Sequence, residues 1–232
     1  MAKTKDTTNS VSVKPIIFSG EMVRALLEGR KTQTRRYAHA ATERAPHNAT
    51  WAPDGGFKRT RRVGQVWSLH SPYLIGSRLL HGTARCPYKP GDLLWVRETW
   101  SHTGQGVWKI ADVYQALGGD IVYRADEETG SIGYFPSIHM PRWASRLTLR
   151  VTNVRAERLQ DISEDDARAE GVHQYASSTN IKRPFNPDWK GSYMRGFQAV
   201  WDTLYGTEHW DANPWVWVYE FEVIRKNVGE VN

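Results

Sequence analysis

Lys31 and Thr34 put an amine and a hydroxyl within one short segment, GRKTQTRR, which runs from Gly29 to Arg36. Hydrolysis of an amide needs a nucleophile, a base to take its proton and a group that steadies the developing oxyanion. The Thr34 hydroxyl fits the first role. The Lys31 amine fits the second only if its pKa falls by several units from about 10.4, through burial or a neighbouring cation. Arg30, Arg35 and Arg36 supply such cations, in the manner of the Ser-Lys variants of the serine hydrolases. The same residues also have a plainer reading. Arg24, Arg30, Lys31, Arg35 and Arg36 outweigh Glu28 here, which suits a solvated face or a phosphate-binding edge, and Thr34 then serves as an ordinary strand threonine.

The chain that must position these groups has 232 residues, room for one large domain or two small ones, with 40% hydrophobic and 24% charged residues. Eleven Trp and ten Tyr supply core volume or platforms for stacked bases. The formal net charge of +6 favours polyanionic partners. Cys86 is the sole cysteine, so no disulfide forms within the chain, a thiolate zinc site is excluded and a reducing interior is expected. The eight histidines show no HExxH or similar ligand spacing, and neither a metal nor a cofactor is expected. Residues 1–13 are polar, without the apolar stretch of a signal peptide, and no run approaches a membrane span. The expectation is a cytoplasmic protein with a frayed tail over 1–13 and no membrane partner.

KPIIF, from Lys14 to Phe18, reads as a first strand. Ser19 can cap the following helix, whose Met22, Val23, Leu26 and Leu27 form one apolar face and which Gly29 ends. Residues 37–85 lack sustained periodicity and read as an insertion carrying the basic cluster Lys58, Arg59, Arg61 and Arg62, with Gln65–Leu69 as a possible hairpin strand. Pro90, Gly91 and Asp92 turn the chain into the strand LLWVRETW, and residues 101–135 read as irregular. Trp143–Leu159 alternates as a half-buried strand. Ser163 and Asp166 match a capping box for a short acidic helix ending in Glu170 and Gly171. A polar loop over 172–192, a helix bearing Phe197, Val200, Trp201, Leu204 and Tyr205, and the final strand WVWVYEFEVI complete the order.

That order and the stretches FSGEMVRALLEGRKTQTRR, CPYKPGDLLWVRETW, PSIHMPRWASRLTLRVTNVRAERLQDISEDDARAEGV and NPWVWVYEFEVI resemble the ASCH domain family, in particular its larger members from bacteriophages and prophages. The resemblance implies an α+β fold, a PUA-like mixed β-barrel with flanking short helices. It would occupy residues 14–225 as one domain with insertions at about 37–85, 101–135 and 172–192, followed by a tail over 226–232. The motif GRKTxTxR carries most of its specificity.

Small bacterial members of that family are amidohydrolases that remove the acetyl group from N(4)-acetylcytidine. By motif position the resemblance assigns their reactive residues to Lys31, Thr34 and Glu170, expected to converge in one cleft. Glu170 would orient the lysine or protonate the leaving amine. The implied partner is a modified cytidine, as nucleoside, nucleotide or nucleic acid. The alternative is a non-catalytic binder of RNA or modified DNA, or a ribonuclease, of phage origin. In either case Arg30, Arg35, Arg36, Arg59 and Arg61 would hold phosphates, and a tryptophan among Trp51, Trp67, Trp100 and Trp108, Trp100 foremost, would receive a base.

Overall fold

The computed structural model describes residues 11–38, 50–51, 58–59, 68–75, 78–116, 118–126, 133–174 and 192–231. In chain order these form β1 (Val13–Ile17), α1 (Gly20–Leu27), β2 (Gln33–Tyr37), β3 (Thr50–Trp51), β4 (Lys58–Arg59), β5 (Ser68–Ile75), β6 (Arg78–Arg85) and β7 (Leu93–Arg97). There follow β8 (Trp100–His102), α2 (Ile110–Val113), β9 (Ile121–Tyr123), β10 (Thr148–Arg158), α3 (Glu164–Ala169), α4 (Tyr193–Tyr205), α5 (Thr207–Asp211) and β11 (Trp215–Ile224). Five strands share a sheet in the order β1-β7-β10-β11-β2, mixed because β1 runs parallel to β7 while β7 and β10, and β11 and β2, are antiparallel. The architecture is α+β, and no closed barrel occurs among the described residues. Within the range expected to be one domain, the chain forms two compact units interleaved in sequence: Met1–Thr32, Pro90–Thr152 and Phe221–Asn232 in the first, Gln33–Lys89 and Asn153–Glu220 in the second.

In the first unit the apolar face of α1 buries Val23, Ala25 and Leu26, and Ile16 of β1, Leu94 and Val96 of β7 and Leu149 and Val151 of β10 are buried as well. Each such aliphatic side chain contributes about 1.5–3 kcal/mol relative to exposure. Ser19 precedes α1 as expected but makes no side-chain capping bond. Asp92, fully buried in the turn before β7, accepts from Ser12 N at 3.3 Å and from Lys14 Nζ at 3.1 Å, tying the turn to the chain entering β1. The stretch expected to be irregular after residue 101 contains the β8–β9 hairpin and α2. Its core is Trp100, Val113, Met140 and Ala144. The expected tail over 226–232 is docked where it is described: Asn227 Nδ2 donates to the carbonyls of Arg142, Trp143 and Ser145, and Val228 is buried.

Glu98 lies just past β7 with its side chain 1% exposed, and Arg146 clamps it with two hydrogen bonds of 2.9 and 3.0 Å while also reaching Asp126 at 2.6 Å. Burial pushes the Glu98 carboxyl above its ordinary pKa, with Arg146 opposing. A carboxyl whose folded pKa is raised contributes stability fully present below the unfolded pKa, about 4.3, and lost as pH rises through the folded value. Arg146→Gln removes the opposing cation and raises that pKa further. We expect it to destabilise the protein by about 3–5 kcal/mol at pH 7, the cost of stranding one partner of a buried pair. The deficit relative to wild type should shrink as pH falls toward the unfolded carboxylate value. Urea unfolding at both pH values checks this; a deficit independent of pH contradicts it.

In the second unit β2 pairs with β11 in the register Gln33↔Glu220, Thr34↔Tyr219, Arg35↔Val218, Arg36↔Trp217. The short acidic helix appears as expected, with Ser163 Oγ accepting from Asp166 N at 3.1 Å. Gly29 and Gly171, at φ +76° and +81°, end α1 and α3 in the left-handed conformation that spares glycine the Cβ clash. The insertion over 37–85 holds more order than its composition implied: β5 and β6 pair over their full length from Ser68↔Arg85 to Ile75↔Arg78, with β3 and β4 flanking β5.

Candidate functional site

The site is built on the strand that follows α1. After Gly29, the amides of Arg30 and Lys31 both donate to the carbonyl of Ala25, and Thr32 O accepts from Phe221 N. Lys31 is thereby turned inward. It is 1% exposed, and its Nζ lies 5.4 Å from the centre of the Phe18 ring. It belongs to the first unit, whereas Thr34 and Glu170, 3% and 4% exposed, belong to the second.

Successive residues of β2 point to opposite faces, and residues opposite each other on β11 share a face. Gln33, Arg35 and Glu220 therefore lie on one side, joined there by Arg155 and Glu157 of β10 and covered by α3. Arg35 is the centre of this polar face. Its fully buried guanidinium donates to Glu157 Oε1 through Nε at 2.8 Å and Nη2 at 2.5 Å, and to Glu170 Oε1 through Nη1 at 3.1 Å, with Asp166 Oδ2 3.4 Å from Nη2. Phe197 of α4 lies beside it, its ring centre 5.8 Å away. Arg155 forms the second node, bonded to Glu157 at 3.0 Å, Asp166 at 3.0 Å and Glu220. Gln33 Nε2 closes the network on the Asp166 carbonyl and carboxylate, at 2.7 and 2.9 Å.

The network carries two guanidiniums and four carboxylates. Burial pushes the Asp166 carboxyl up, but the Gln33 hydrogen bond and the charges of Arg35 and Arg155 prevail and hold it below the usual carboxylate range. Opposing charge also outweighs desolvation at Arg155, whose pKa is raised. Glu170, at the C-terminal end of α3, is thus held by a guanidinium that has no freedom to leave it.

Thr34 and Arg36 face the other way, with Tyr219 directly across from Thr34. This side is aromatic: Trp217 and Tyr219 pack with Ala38, Cys86, Tyr88, Val154, Ala156 and Trp215. The Tyr219 hydroxyl lies 3.5 Å from Cys86 Sγ, and the Tyr88 and Tyr219 rings meet edge to face at 5.0 Å. Burial raises both phenols above their ordinary pKa while the positive charge of Arg36 opposes the rise. Thr34 therefore lies on the side that carries Tyr219 and Trp217, the face opposite the arginine that holds Glu170.

The remaining expected residues fall in different places. Arg35 is corrected from a phosphate contact to a buried structural cation, since its donors are engaged by carboxylates. Trp100 is corrected from a stacking platform to core: it is fully buried between Phe135 and Trp143. Arg30 is partly exposed and paired with Glu28 at 2.6 Å, so the cationic neighbourhood expected around Lys31 is largely compensated at two of its three arginines. Arg36 is half-buried. Arg59 and Trp51 are described only as backbone positions in β4 and β3, and Arg61 and Trp67 lie outside the described residues. Trp108 is 89% exposed.

Gln33, Arg155, Glu157, Glu220 and Tyr219 were not singled out from the sequence, and Asp166 only as a helix-capping residue. Their signal was present: charged residues at 155, 157 and 220 sit at period-two positions within strands otherwise rich in buried apolar side chains. Among the described residues no three His, Cys, Asp or Glu side chains are grouped to hold a metal ion, and no helix is long and apolar enough to cross a membrane. No protein-family model, curated protein or solved structure matches the chain.

Proposed function

We propose that the protein is a nucleobase-recognising hydrolase of the ASCH type, with a PUA-like domain, that removes an acyl group from the exocyclic amine of cytosine. The observation that carries this reading is that Lys31, Thr34 and Glu170 are each buried. Three polar or charged residues are held at 4% exposure or less in a chain with ample surface for them. Burying charge is costly, and folds retain it chiefly where pairing or chemistry requires it. The mixed five-stranded sheet and the acidic helix ending in Glu170 are also of the kind that the resemblance implies.

In this reading the Thr34 hydroxyl attacks the acyl carbon while the Lys31 amine takes its proton. The C–N bond to the cytosine amine then breaks, and the leaving nitrogen takes up a proton. Water hydrolyses the resulting threonine ester to release the carboxylic acid. In the roles that the resemblance implies, Glu170, ion-paired to Arg35, orients the lysine or protonates the leaving amine. The sole cysteine fits a reducing, cytoplasmic setting. Incubation with N(4)-acetylcytidine and with acylated oligonucleotides, followed by mass spectrometry, tests the proposal. Loss of the acyl mass with appearance of unmodified cytosine is expected; a well-folded protein that leaves every such substrate intact overturns it.

A further inference from the structure

The first unit contains a groove of about 380 Å³ that shares no residue with the site above, lined by Val11, Val13, Leu93 and Val228 among others, with Arg142 and Arg150. Its apolar floor carries two exposed guanidiniums, and neither has a carboxylate partner among the described residues. Two acids adjoin groove-lining residues in sequence: Asp92, next to Gly91, is buried and engaged by Lys14, and Glu230, between Gly229 and Val231, is exposed and makes no ion pair with either arginine among the described residues. This differs from the arginines already described: Arg30, Arg35, Arg146 and Arg155 are each paired. Two arginines outside any ion pair, against one exposed acid, leave the groove net positive and favour an anionic ligand.

A second feature adjoins the groove through the chain itself. Trp143 follows Arg142 in a short 3₁₀ turn, is 47% exposed, and meets the exposed Tyr114 ring edge to face at 6.0 Å. Beneath it Trp143 leans on the buried Trp100 at 6.2 Å, so the pair is fixed rather than loose. Trp108 is almost fully exposed at the other end of α2, next to Lys109. Exposed rings braced from below, beside unpaired guanidiniums, match the two demands of a strand with unpaired bases: faces to stack on and cations for its phosphates.

We infer that this face of the first unit binds single-stranded nucleic acid, with Arg142 and Arg150 holding phosphates and Trp143 and Tyr114 receiving bases. The choice of ligand rests on the nucleobase reading, and it adds a polymeric substrate to the free nucleoside. Fluorescence anisotropy of a short labelled oligouridylate, the matching oligothymidylate and a duplex of equal length tests it on the full chain. Arg142→Ala with Arg150→Ala is expected to weaken single-strand binding at least about 10-fold and to flatten the plot of log affinity against log salt by about 1.4, at roughly 0.7 for each phosphate contact. Tyr114→Leu with Trp143→Leu is expected to weaken binding by roughly 10-fold or more while leaving the salt slope unchanged.

Turnover of free N(4)-acetylcytidine should be the same in both variants as in wild type. Wild-type protein that binds neither oligonucleotide, that binds duplex as tightly as single strands, or whose affinity survives the double arginine change overturns the inference. The arginine variant decides if the aromatic one misfolds, because both guanidiniums are exposed. Failure of the catalytic reading is distinct: it shows as absent turnover with binding intact, whereas failure of this inference shows as turnover without binding.

Discussion

Arg35→Met is expected to lower the stability of the protein by about 3–5 kcal/mol, although Arg35 stands in a run of basic residues that reads as surface. The methionine fills much of the volume but cannot donate. Glu157 and Asp166 keep Arg155, whereas Glu170 loses the Arg35 guanidinium inside a region where its side chain is 5% exposed. A buried carboxylate that loses a charged donor loses compensation for its desolvation. Adding Glu170→Gln should recover part of the loss, because the second change removes the charge that Arg35 no longer opposes, and the non-additivity of the pair measures their coupling. Urea unfolding of the two single variants and the double gives all the terms. A loss below about 1 kcal/mol for Arg35→Met would place the guanidinium among solvated surface pairs and contradict the network described above.

The contrast between Arg35 and its neighbours marks what could be read from the chain before its structure. The helix of residues 20–27, its glycine stop, the capping box at Ser163 and the two long strands carry local signals, namely periodicity, cap residues and glycine position, and these elements formed within a few residues of expectation. Lys31, Thr34 and Glu170 were singled out and are all buried. The partners of Arg35 were hidden because they lie 122 and 135 residues away, a separation that no local pattern reports. Strand alternation would have sent Arg35 to one face and Arg36 to the other, but a basic run obscures it, since both positions look equally hydrophilic. Trp100 failed for the opposite reason: an aromatic residue suits core and platform alike, and only the packing of Phe135 and Met140 around it distinguishes them. The β5–β6 hairpin was missed although Gly76 and Ser77 separate two apolar ends, a two-residue hairpin signal; Pro72 and Gly82 within the strands masked it.

Thr34→Ala and Lys31→Ala are each expected to reduce turnover of an acylated cytosine at least about 100-fold, with the double variant little worse than either single. Nucleophile and base act as one unit, so the second deletion has nothing left to remove. Thr34→Ala removes the hydroxyl and the γ-methyl from a side chain that is 3% exposed and lies across from Tyr219, a modest loss of volume. Its folding should therefore survive, and binding of an unreactive cytidine analogue should be retained within a few-fold, because stacking and phosphate contacts dominate affinity. Lys31→Ala leaves a larger void beside Phe18, so its stability must be measured alongside its rate. Thr34→Ala is accordingly the cleaner variant. The rate of cytidine release from N(4)-acetylcytidine by wild type and by folded Thr34→Ala, followed by mass spectrometry, bears most directly on amide hydrolysis at this site. Steady release by wild type and its near-complete loss in Thr34→Ala is the predicted result; equal rates in the two proteins, or no release by wild type, would contradict it.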